Sequence, residues 1–238
     1  RNGPSDAPNS WKRLHGEELF VTEDGKRLND ASLASSLYWD CLARACAAAV
    51  RHCEEQDWSD RILGYWFGMN NEGTYPPAVE GWLFDHSLPM RRAWREFLRG
   101  KYGTVEALRE AHGNADLTFE TVEVPRDELR GRLSEVAERH YWLPARANQP
   151  RRDYLELVAR LTHDGYRKVM AAMAEGAGER KRVFLYDAFK LTMLGWNLPG
   201  FFDLARSWPP VYAEVLAGSG HMRVAELFDA PGFGGAIT

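Results

Sequence analysis

The carboxylate best placed for chemistry is Glu72. It follows a short apolar, aromatic run, Arg61-Ile-Leu-Gly-Tyr-Trp-Phe-Gly68, and is preceded by Asn70 and Asn71. Tyr65, Trp66, Tyr75 and Trp82 lie near it in sequence. Desolvation among aromatic faces raises a carboxyl pKa and keeps the group protonated as a general acid near neutral pH. An adjacent Asn amide can donate to a substrate hydroxyl. Glu80, beside Trp82 in the same segment, competes for the acid role. The plainer reading is a solvated loop glutamate in an Asn-rich turn. Pyranose C–H faces stack on Trp and Tyr, and the candidate platforms are Trp11, Trp66, Tyr75, Trp82, Tyr186, Trp196 and Trp208. Each is equally readable as a core aromatic. Trp39, Trp94 and Phe97 sit at helical spacing and read as core.

The elements that must position these groups alternate between helix and apolar strand. Residues 1–30 read as loop, with a turn signal at Glu23-Asp24-Gly25-Lys26. Leu37, Cys41, Ala45 and Ala48 recur at helical steps, so 35–55 reads as a helix. The run 61–68 reads as a strand buried on both faces. Pro76, Pro77 and Gly73 forbid regular structure after it. A second helix spans about Pro89 to Arg99, with Pro89 in its first turn and Gly103 as its stop. Thr104 caps a short helix, Val105 to His112, which Gly113 ends. Residues 114–150 read as irregular. A long helix runs from about Arg152 to Glu175 and ends at Gly176-Ala177-Gly178. Arg182 to Asp187 reads as a strand, Tyr212–Leu216 and His221–Phe228 as helical stretches, and Phe233-Gly-Gly-Ala-Ile-Thr238 as the start of another strand. This is the pattern of a parallel α/β fold, whose functional residues gather after strand C-termini. Three strands are readable, whereas a closed barrel needs eight.

Composition excludes several classes. The 238 residues fit one or two domains, and a 45% hydrophobic, 27% charged chain is neither disordered nor fibrous. No apolar run approaches the ~20 residues of a membrane span, so no membrane partner is expected. A net charge of −4 without a basic block argues against nucleic acid as a partner. Cys41, Cys46 and Cys53 share one helical stretch and lack metal-ligand spacing. His15, His52, His86, His112, His140, His163 and His221 are scattered, so no metal site is expected. Gly73, Gly176 and Gly178 lack a phosphate-loop context, and no cofactor is expected. Ser219-Gly220-His221 is not a nucleophile elbow. Three thiols and no signal-like start lean towards the cytoplasm. The chain begins with Arg, so its gene is expected to start elsewhere.

Asn71-Glu72 after a strand resembles the acid/base motif of clan A glycoside hydrolases, where it follows the fourth barrel strand. The segment Arg91-Arg-Ala-Trp-Arg-Glu-Phe-Leu-Arg-Gly-Lys-Tyr-Gly-Thr-Val-Glu-Ala-Leu-Arg-Glu-Ala-His-Gly113 is more specific. It resembles the region after the acid/base in β-galactosidases of glycoside hydrolase family 42, with His112-Gly113 where that family usually has Trp-Gly. Asp85-His86-Ser87 resembles an Asp-Tyr-Ser element before that helix. Ser219-Gly220-His221 with Phe228-Asp229-Ala230-Pro231 resembles a region preceding the sixth strand.

The resemblance implies a partial (β/α)8 TIM barrel, from about the loop after strand three to strand six. Residues 1–238 would then be one incomplete catalytic-barrel portion, with strands 1–2 and 7–8 absent. It implies retaining hydrolysis of a β-linked glycoside, with β-galactosides as candidates. Glu72 would be the general acid/base and Asn71 would bind the sugar 2-hydroxyl. Asn70, Trp66, Tyr75, Trp82 and Tyr186 would contact an oligosaccharide or glycoside substrate. The nucleophile follows strand seven in that clan and is expected outside this chain, which alone would be inactive. Asp187, after the fifth strand, reads as structural or substrate-contacting. Two rivals remain: a non-catalytic carbohydrate-binding or scaffold barrel, and an unrelated α/β domain with Glu72 on its surface.

Overall fold

A computed structural model describes residues 9–68, 84–126, 149–178, 182–186 and 233–237. Its elements run α1 (Asn9–Leu14), β1 (Leu19–Val21), β2 (Arg27–Ala31), α2 (Ser36–Glu54), β3 (Gly64–Phe67), α3 (Leu88–Tyr102), α4 (Val105–His112), α5 (Gln149–Ala177), β4 (Arg182–Tyr186) and β5 (Phe233–Ile237). Single 3-10 turns at Gly16–Glu18 and Ser59–Arg61 lead into β1 and β3.

Local chemistry sets the helix ends. Ser35 Oγ accepts the Tyr38 N–H at the start of α2, Ser87 Oγ the Met90 N–H at the start of α3, and Thr104 Oγ1 the Ala107 N–H at the start of α4. Each satisfies one of the N–H groups that a helix start leaves without an internal partner. Gly103 and Gly113 follow α3 and α4 at φ 70° and 65°, a left-handed backbone that side-chain-bearing residues resist.

The sheet carries three parallel strands in the order β3-β4-β5. Gly64 to Phe67 pairs in step with Arg182 to Leu185, and Tyr186 pairs with Ile237. Parallel neighbours require long crossovers, and α5 lies in the connection between β3 and β4. Helices α2 and α5 pack on each other, and α5 packs on β3 and β4. An aromatic ladder joins the layers. Phe67 of β3 meets Tyr166 of α5 edge-on at 5.6 Å, and Tyr166 meets Trp39 of α2 at 6.2 Å. Gly165 lets α2 approach, since a Cβ there would stand 2.3 Å from the Trp39 ring.

Two expectations are corrected. Residues 19–31 form an antiparallel hairpin within the stretch read as loop. Its strands are too short and irregular for alternation to show, and bonds to distant residues hold them. The strand read as covered on both faces has one open face among the described residues. Phe67 is buried, whereas Trp66 is 72% exposed. A helix, Asn9–Leu14, also falls within that loop stretch, and the helical stretches expected at Tyr212–Leu216 and His221–Phe228 lie outside the described residues. Trp39 and Trp94 are buried, Phe97 packs against the core, and the three cysteines are half-buried thiols.

Candidate functional site

The site expected from sequence lies after β3. Asn70, Asn71, Glu72, Tyr75, Glu80 and Trp82 fall in 69–83, outside the described residues, as do Asp187, Trp196 and Trp208. Trp66 sits on β3 with its side chain exposed, in register with Phe184 of β4. Tyr186 is the last residue of β4, opposite Ile237. Trp11 is half-buried against His15 and Tyr38, with ring centroids 5.1 and 5.7 Å away.

What the structure does define is the return of the chain at 84–87. Phe84, Asp85, His86 and Ser87 are all buried. Asp85 Oδ1 accepts the Val21 N–H at 3.1 Å and the Ser87 N–H at 2.8 Å, and its Oδ2 accepts the Ser87 hydroxyl at 3.0 Å. The Asp85 N–H donates to the Tyr154 hydroxyl at 2.8 Å, and the His86 N–H to the Val21 carbonyl at 2.7 Å. One carboxylate thus joins the hairpin, the cap of α3 and, through its own backbone, α5. Burial pushes the Asp85 carboxyl up to about 6, against hydrogen bonds from Ser32, Ser87 and Val21 that favour its charged form. Burial lowers the His86 pKa, which keeps the imidazole neutral.

A second polar cluster ties α3, α4 and α5 together. Asp153 is fully buried. Its carboxylate accepts from Tyr102 at 2.6 Å, Gln149 at 2.7 Å and Lys101 at 2.9 Å, and lies 2.9 Å from His112 Nε2. Burial opposes its ionisation, but the bonds from His112, Tyr102, Lys101 and Gln149 outweigh that and hold it down at about 2. The His112 ring also stacks on Trp94 at 6.2 Å. The position that carries Trp in the resembling family is here a polar partner for a buried acid.

Sequence reasoning missed both clusters as units. Pro89 marked the start of the helix, but nothing local pointed from Asp85 to Tyr154, 69 positions away. No three His, Cys, Asp or Glu side chains among the described residues are grouped to hold a metal ion. No described helix is long and apolar enough to cross a membrane.

Comparison with solved structures gives this arrangement a context. The catalytic domain of a β-amylase from Paenibacillus polymyxa matches with a TM-score of 0.63 at 16% identity, over 96% of this chain and 54% of that one. The β-galactosidase of the psychrophilic Marinomonas ef1 matches with 0.54 at 16% identity, over 76% and 26%. That of the Antarctic haloarchaeon Halorubrum lacusprofundi matches with 0.52 at 18% identity, over 79% and 26%. Over the matched residues the chain is similar in fold to parts of these enzymes. It spans about a quarter of these β-galactosidases and about half of the β-amylase domain. No protein-family model and no curated protein sequence matches it. The neighbours are TIM-barrel enzymes, whereas the described strands of this chain form an open sheet.

Proposed function

We propose that residues 1–238 are one portion of a (β/α)8 catalytic barrel that hydrolyses a β-linked glycoside with retention, β-galactosides being the first candidates. The observation that carries this reading is the run of three parallel strands in sequence order, similar in fold to glycoside hydrolases, with Asn71-Glu72 just after the first. In this reading β3, β4 and β5 are barrel strands four, five and six. Catalytic groups in such folds gather beyond the C-terminal ends of the strands, and 69–83 follows β3.

Glu72 protonates the leaving oxygen and then, as carboxylate, takes the proton of the attacking water. Asn71 donates to the sugar 2-hydroxyl, a bond that strengthens as the transition state develops. Trp66, exposed on β3, and Tyr186, at the end of β4, supply sugar contacts with Asn70, Tyr75 and Trp82. The nucleophilic carboxylate comes from outside these residues, at the ~5–5.5 Å separation that retention requires.

The test is the complete gene product assayed on aryl β-galactosides. Glu72→Gln should lower kcat/KM for a poor leaving group by about 10²–10⁴-fold and spare an activated one. Unchanged turnover of the poor leaving group would remove Glu72 from the mechanism. The same loss in Glu80→Gln alone would assign the role to Glu80.

A further inference from the structure

We draw no further inference here: the strongest candidate, the surface groove between α2 and α5 lined by Ala43, Arg44, Ala47, Arg51, Lys168 and Ala172, carries nothing, because Lys168 is already paired with Asp40 and nothing in the structure shows what covers the groove.

Discussion

At the scale of single residues, two buried carboxylates govern the polar architecture, and their surroundings push them in opposite directions. Asp153 is held ionised by four donors. Asp153→Ala would leave the Lys101 ammonium and His112 facing a gap, and removing one partner of a buried ion pair costs about 3–5 kcal/mol. The expected result in the complete protein is a lower denaturation midpoint with an unchanged m-value. Asp85 is pushed up to about 6, above its ordinary 3.8. Its fold therefore binds the proton more tightly than the unfolded chain does. The stability this gives is complete below about pH 4 and lost as pH rises to 6. For Asp153, folded value about 2, stability is present above pH 4 and lost as pH falls through 2. Melting curves from pH 2 to 7 check both signs. The wild-type advantage over Asp85→Asn should shrink between pH 4 and 6. The advantage over Asp153→Asn should shrink between pH 4 and 2. A wild-type advantage over Asp85→Asn that grew with pH would contradict the assignment for Asp85.

At the scale of elements, the close approach of α2 and α5 hangs on one small residue. A methyl group at Gly165 would meet the Trp39 ring at 2.3 Å, and overpacking of this kind typically costs about 1–3 kcal/mol. Ala is the better helix former by roughly 1 kcal/mol, which offsets part of the loss. Gly165→Ala should therefore lower stability modestly, and adding Trp39→Leu should make the Ala substitution far less harmful. A double-mutant cycle measures the coupling, and purely additive effects would mean the two sites do not touch. The ends at Gly103, Thr104 and Gly113 were legible in the sequence because caps are local. Ser35, Ser87, Thr104, Gly103 and Gly113 act within one turn of their own helix. The hairpin at 19–31 was not legible, although its turn residues were. Its register depends on Asp85, 64 positions from Val21, and no local pattern encodes such a bond.

At the scale of the whole molecule, the described sheet is open. β3 and β5 each have one neighbour, and Trp66 on β3 stands exposed. In the partial-barrel reading both edges of this sheet lack a partner strand, and unpaired edges favour association between chains. The isolated 238-residue chain is expected to aggregate or to remain partly molten, binding a hydrophobic dye and lacking a sharp thermal transition. A monomer with a cooperative transition would contradict the partial-barrel reading.

The sequence by itself determined the alternation of helix and strand, the positions of most helix ends and the presence of a carboxylate after a strand. These follow from hydrophobic period, capping chemistry and glycine conformation, all acting over a few residues. Only the tertiary structure decided which polar groups meet. Asp85 with Val21 and Tyr154, Asp153 with Lys101, Tyr102 and His112, and His86 with Val21 are all long-range. Burial then gives those meetings their energetic weight. It raises the cost of every unpaired atom, so the placement of partners across the fold, and not residue type alone, sets what each carboxylate and imidazole can do.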